Sequence, residues 1–264
     1  MKNKVKIFYN NNDKSINTFN EVKDKLIKNG FIIVENDYNI AIAIGGDGSF
    51  LRMVKETNFK GDVLYLGINT GTLGFAQEIH VNELDELIEN LKTGNYKVNE
   101  FGVQETNLYS NNENSKFYSL NDIVIRDMDL NTLKLDIFID DALLEHFAGD
   151  GILVSTSFGS TAYNLSFGGS IIYNTFHALE LTPVAPLNNK TYRTLTNSLV
   201  LPQNKNIEIV PVSNKNLIVT VDGENKYYEN VDKIDTILSD KTIMCYQNID
   251  YNFVKKINDK FLSN

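Results

Sequence analysis

Cysteine is nearly absent from this sequence: Cys245 is the only one in 264 residues. No disulfide can form within one chain, no cysteine-based zinc cluster can be built, and a lone thiol fits a reducing compartment. Positive charge is also scarce. Lys and Arg number 25 against 34 Asp and Glu, a formal net charge of −9. That balance argues against nucleic acid and against a membrane surface as partners, since both ask for clustered Lys and Arg. The three histidines, His80, His146 and His177, lack the spacing of a metal site. No apolar run is long enough to span a bilayer, and Met1-Lys2-Asn3-Lys4-Val5 lacks the apolar stretch of a signal peptide. The expectation is a soluble, cytoplasmic protein. A Walker A phosphate loop is missing too. An acidic chain that binds phosphates must then use local devices: backbone N–H groups, a few placed cations or a bound metal.

Hydrophobic residues make up 42% of the chain, enough for a sizeable core. The first third alternates strand and helix signals. Strands are predicted at Lys4–Tyr9, Phe31–Val34, Ile40–Ile44 and Val63–Leu66, and helices at Ser15–Asn29, Phe50–Thr57 and Val81–Leu91. Such alternation predicts an α/β domain with a parallel sheet, over residues 1–99. Beyond it the signals are short strands: Tyr118–Ile125, Leu133–Ile139, Leu143–Phe147, Ile152–Ser155, Ile207–Val210, Leu217–Val221 and Thr242–Tyr246. They predict an all-β, sandwich-like domain over residues 100–251. Phe253, Ile257 and Phe261 recur at helical spacing, so residues 252–264 are expected to form a helix that packs back on the first domain.

Three segments carry groups that can do chemistry. In the first, the apolar run Ile40–Ile44 enters Gly45-Gly46-Asp47-Gly48 just before a helix. Glycines let backbone N–H groups approach phosphate oxygens, and a helix N-terminus favours the anion. An aspartate there repels phosphate, but it makes sense as a Mg²⁺ ligand or as the base for a hydroxyl. The same residues also fit a plain strand-to-helix turn with Asp47 or Ser49 as N-cap. A second loop, Gly67 to Phe75, leaves a strand with three glycines, and paired glycine loops at the carboxyl ends of parallel strands are where open α/β sheets bind ligands. In the third, a strand runs into Ser155-Thr156-Ser157-Phe158-Gly159-Ser160-Thr161-Ala162-Tyr163-Asn164. Its hydroxyls and amide can read the edge of a base, and Tyr163 offers a stacking face; a turn-rich hairpin has the same composition.

Taken together, Gly45-Gly46-Asp47-Gly48, Asn69-Thr70-Gly71-Thr72-Leu73-Gly74-Phe75, the Leu120–Asp127 segment, the Gly149–Gly169 block and Leu181-Thr182-Pro183-Val184-Ala185-Pro186 resemble the motifs of the NAD kinase family, in its order and spacing. The glycine–aspartate loop is shared with lipid kinases and phosphofructokinases; the Gly149–Gly169 block is the specific one. The resemblance implies phosphoryl transfer from ATP, or from another nucleoside triphosphate or polyphosphate, to the adenosine 2′-hydroxyl of NAD. It implies Mg²⁺ as cofactor, no dedicated protein metal cage, and a homodimer or homotetramer. Asp47 would activate the hydroxyl, with Gly46 and Gly48 shaping the phosphate loop and Arg52 one helical turn on. Phe75 would pack beside the adenine. Asn121, Asp122, Thr161, Ala162, Tyr163, Asn164, Ser166 and Ala185 would line the dinucleotide site, with Asp150 at the nicotinamide end. Asp222-Gly223-Glu224 resembles a further family element. Ser157-Phe158 stands where the family has Pro followed by Thr or Ser, and Ala148 where some relatives carry a basic residue. Two alternatives remain at this stage: a lipid kinase of the diacylglycerol or sphingosine type, and a dinucleotide sensor without catalysis.

Overall fold

A computed structural model describes residues 3–71, 74–111 and 113–263. The chain forms two compact units: Met1–Phe101 together with Lys241–Asn264, and Gly102–Asp240.

The first unit is built on parallel strands. They are β1 (Lys4–Tyr9), β2 (Ile32–Ile33), β3 (Ile40–Gly45) and β4 (Leu64–Asn69), with the short β5 (Ile79–His80) pairing beside β4. The sheet order is β4-β3-β1-β2. Every residue of β3 and β4 is buried, as expected of strands covered on both faces. Helices α1 (Asp13–Lys28), α2 (Asp47–Glu56) and α3 (Leu84–Thr93) connect them. The apolar spacing of α1 puts Val22 and Leu26 into a core with Ile42, Ile44, Leu66, Leu87 and Leu91. Asn12 caps α1 by accepting the Ser15 N–H at 2.9 Å.

The second unit is a sandwich of two sheets. One holds β9 (Leu133–Ile139), β10 (Ala142–Gly149), β14 (Ile207–Pro211) and β17 (Val231–Gln247), with β6 (Lys97–Ser110) and β7 (Ser115–Ser119) attached. The other runs β13 (Leu199–Pro202), β12 (Ala178–Val184), β11 (Gly151–Thr156), β8 (Asp122–Asp127), β15 (Leu217–Val221) and β16 (Glu224–Tyr228), all antiparallel. Leu135, Ile137, Phe147, Ile207 and Ile209 of one sheet meet Ile123, Ile125, Ile152, Val154 and Val219 of the other. On the far face, Val124, Leu153 and Val184 are covered by Phe167, just after the short helix α4 (Tyr163–Ser166). The chain closes with α5 (Phe253–Phe261), which packs within the first unit.

Three of the differences from expectation have a clear physical cause. The segment expected as one strand at Tyr118–Ile125 is broken at Leu120-Asn121, because the Asp222 carboxylate takes the N–H groups there out of the ladder. The β-rich unit ends at Asp240 rather than at residue 251, because Met244 and Cys245 pair in parallel with Leu64 and Tyr65 of β4. Helix α2 begins at Asp47, three residues before Phe50.

Candidate active site

The early start of α2 decides the setting of Asp47. The carboxylate sits in the first helical turn, where the unsatisfied N–H end favours negative charge. It is gripped on both oxygens: Oδ2 accepts the Phe75 N–H at 3.0 Å and Oδ1 the Ala76 N–H at 3.0 Å. A carboxylate oxygen that accepts one N–H still has the lone-pair capacity to accept a hydroxyl. The Gly74 backbone lies so close that a Cβ there would strike the Asp47 carboxylate. Gln77, fully buried, donates to the Gly46 carbonyl at 2.6 Å and ties the two loops together.

The glycines of the first loop divide into two kinds. Gly45 (φ +145) is fixed by the protein's own packing, since a Cβ would collide with Ser49 Oγ. The Ser49 hydroxyl accepts from Asn10 at 3.0 Å. Among the described residues, nothing lies within 4 Å of a Cβ position at Gly46 or Gly48. Their bareness leaves the backbone beside Asp47 open to an approaching group, which is what phosphate contact by N–H groups requires. Arg52 does not point a free guanidinium at this opening. Its Nη2 donates to the Tyr9 carbonyl at 3.0 Å and its Nε lies 3.5 Å from Glu56. The Phe75 ring stacks on Phe261 with centroids 5.3 Å apart. Thr72 and Leu73 of the second glycine loop lie outside the described residues.

In the second unit most of the candidate residues gather around the start of β8 and the end of β11, which lie side by side in the antiparallel pair. Asp222 opens the two-residue turn between β15 and β16, with φ +46 followed by Gly223 at +85, the hairpin geometry that Asp-Gly favours. From there its carboxylate accepts the N–H groups of Leu120, Asn121 and Asp122 at 2.8, 2.7 and 3.2 Å. Asp122 is buried, and its carboxyl is pushed up to about 7, first by burial and then by the Asp222 charge. Thr156 donates to the Leu120 carbonyl at 2.5 Å and accepts the Gly159 N–H at 3.1 Å. Gly159 passes so close to Asn121 that a Cβ would strike its backbone. Asn121, Asp122 and the hydroxyl-rich turn are thus brought into one place.

Tyr163 is 40% exposed, and its hydroxyl accepts from Arg126 Nη2 at 2.9 Å. The Arg126 guanidinium also lies 5.7 Å from the Tyr163 ring and 5.8 Å from that of Phe167. Thr161 and Ala162 are half-buried and Ser166 is exposed. Asn164 behaves differently from its neighbours. It is wholly buried, donates to Glu180 Oε2 at 2.8 Å and accepts from Thr182 Oγ1 at 2.6 Å. Its amide therefore braces the turn against β12 and has no face left for a ligand. Asp150 and Ala185, both exposed, face each other at the end of the β11–β12 ladder, where the Asp150 N–H donates to the Val184 carbonyl at 3.0 Å. Ser157 spends its hydroxyl on the Phe176 carbonyl, and Ala148 is buried. Among the described residues, no group of three or more His, Cys, Asp or Glu is placed to hold a metal ion.

Gly74 and Thr156 are visible in the sequence only as members of their loops, and Gln77 and Glu180 are not marked by it at all. Gln77 and Glu180 act on partners 31 and 16 residues away, Gly46 and Asn164.

Two adjacent family descriptions account for most of the chain: "ATP-NAD kinase N-terminal domain" matches residues 2–96 and "ATP-NAD kinase C-terminal domain" matches residues 120–245. The chain belongs to the NAD kinase family. An NAD kinase of Finegoldia magna is 41% identical over 98% of this chain and 97% of the relative. One from Streptococcus pneumoniae is 36% identical over 88% and 86%. Two solved structures share the fold. Yeast NADH kinase, complexed with NADH, gives a TM-score of 0.86 at 23% identity over 99% of this chain and 88% of that one. An Archaeoglobus fulgidus NAD kinase in complex with ATP gives 0.73 at 20% identity over 93% and 94%. The activity that goes with membership is that of a phosphotransferase acting on the adenosine 2′-hydroxyl of NAD, with ATP as donor and NADP as product. The lipid-kinase and sensor alternatives find no support in these matches.

Proposed function

We propose that Asp47 is the group that orients the adenosine 2′-hydroxyl of NAD and takes its proton during in-line phosphoryl transfer. The observation that carries this is the double grip on its carboxylate by Phe75 and Ala76, beside the bare backbone of Gly46 and Gly48. A ribose hydroxyl is far too weak an acid to be ionised beforehand by a carboxylate. Asp47 therefore holds the oxygen in line and accepts the proton as the bond to phosphorus forms. The open N–H groups of the first loop stabilise charge on the transferred group. Asn121, Asp122, Thr161, Ala162, Tyr163, Ser166 and Ala185 are the dinucleotide contacts in this reading, with Asp150 at its nicotinamide end. Arg52 and Asn164 act as braces.

Magnesium is expected to come with the donor, since Mg²⁺ commonly binds through substrate phosphates with one or two carboxylates. Asp47 is the carboxylate at the loop that would join it, and the ion would offset charge on the donor's phosphates. The reading also has the protein working in the cytoplasm as a homodimer or homotetramer. The lone buried thiol of Cys245 is in keeping with the first, and light scattering tests the second.

The deciding experiment combines purified protein, NAD, ATP and Mg²⁺, with NADP read by an NADP-specific dehydrogenase. Asp47→Asn is expected to bind NAD and to turn over at least about a hundredfold more slowly. Near-normal turnover in that variant rules the assignment out. Replacing ATP by inorganic polyphosphate in the same assay reads the donor range.

A further inference from the structure

The terminal helix buries a lysine, and lysine is rarely buried without a purpose. Lys256 of α5 is 8% exposed. Its Nζ donates to the Phe75 carbonyl at 2.8 Å and lies 3.8 Å from Glu78 Oε1 and 5.4 Å from the Tyr251 ring centroid. One turn and a half further on, Phe261 stacks on the Phe75 ring. The helix is thus applied to the segment that grips Asp47.

The geometry is more specific than a docked helix. The Phe75 carbonyl and the Ala76 N–H belong to one peptide group. Its oxygen accepts from Lys256 Nζ, and its N–H donates to Asp47 Oδ1 at 3.0 Å. An ammonium on the carbonyl side polarises the amide and strengthens the bond its N–H makes. Glu78, two residues beyond Ala76, brings Oε1 to 3.8 Å from the same ammonium. A helix that merely needed to cover apolar surface has Phe253 and Phe261 for that purpose and gains nothing from burying a charge.

We infer that Lys256 is a positioning residue for Asp47, acting through the Phe75–Ala76 peptide group from a helix some two hundred residues away in sequence. This inference rests on the reading of Asp47 as the group that handles the 2′-hydroxyl. It makes the terminal helix part of the catalytic apparatus, and truncation of the tail a way to lose turnover while keeping the substrates' own contacts.

The test is a double-mutant cycle on the full chain with Lys256→Met, which keeps length and loses the charge and the N–H donors. Tm is measured for each variant. Lys256→Met is expected to lower kcat about tenfold while the KM values for NAD and ATP stay within about twofold. In the Asp47→Asn background the same substitution is expected to change kcat by less than about twofold, because its route of action is gone. Should Lys256→Met fail to fold, Lys256→Gln, which keeps an N–H donor without the charge, replaces it in both backgrounds. An unchanged kcat in the single variant overturns the inference, and so does an equal tenfold loss in both backgrounds. If Asp47→Asn by itself turns over normally, the reading of Asp47 fails, and that result is separate from the outcome for Lys256.

Discussion

At Gly46 and Gly48 the residue type is explained by what the fold leaves empty. Gly45 and Gly74 could not carry a Cβ without striking Ser49 or Asp47, so their identity is accounted for inside the protein. Gly48 sits in the first turn of α2 with no described residue within 4 Å of a Cβ there, and alanine is the better helix former by up to about 1 kcal/mol. Gly48→Ala is therefore expected to hold or raise the Tm by a degree or two. The added methyl intrudes where phosphate oxygens approach, so activity is expected to fall at least about tenfold. A variant as active as the parent would mean that no ligand comes near this backbone. At this scale a charged residue inside a glycine loop is legible as a string, which is why Asp47 and its glycines stand out. What the string does not show is how polar atoms are already engaged: Arg52 is held by Tyr9 and Glu56, and Asn164 by Glu180 and Thr182.

At the scale of elements, the hairpin joining β15 and β16 is the clearest case of a local signal with a distant consequence. Asp222-Gly223 between two alternating runs reads as a two-residue turn. The turn then aims the Asp222 carboxylate at three consecutive N–H groups, ends β7, and starts β8 where Asn121 and Asp122 are needed. Asp222→Asn tolerates the left-handed backbone and keeps one acceptor oxygen. It is expected to lower stability by about 1–3 kcal/mol in urea unfolding and to raise the KM for NAD, because the Asn121 segment loosens. Unchanged stability would show that the three N–H groups have other partners. The expectation of one continuous strand over Tyr118–Ile125 failed for the same reason. Strand propensity sees the apolar residues, but the break comes from a carboxylate a hundred positions later. Helix α2 likewise began early because its first turn is held by Gln77 and by the Asp47 grip, neither of which is a local cap.

At the scale of the whole molecule, stability should depend on pH through two carboxyls, Asp122 and Glu78, each pushed up to about 7 chiefly by burial, and Asp122 is the one to isolate. Its carboxyl stays protonated in the folded protein up to about 7, whereas the unfolded chain releases the proton near the ordinary value of 3.8. Between these values the folded state binds more protons, so stability falls as pH rises through that window and the loss is complete above it. Wild-type Tm is expected to decline from about pH 5 to about pH 8, and Asp122→Asn to decline less; equal slopes in calorimetry would show that Asp122 is not the source. The general repulsion expected of a chain carrying −9 acts in the same direction in both proteins, so the comparison isolates Asp122. The sequence by itself determined the order of the elements, the parallel and antiparallel halves, the glycine loops and the family, because period, turn chemistry and motif spacing are properties of neighbours along the chain. Only the tertiary structure decided which carboxylate is gripped and which is driven up in pKa, which glycines are bare, and that a lysine from the final helix reaches the peptide beside Asp47. Those depend on atoms brought together across tens to hundreds of residues, where hydrogen bonds and burial act on distance in space and leave no periodic trace in the string.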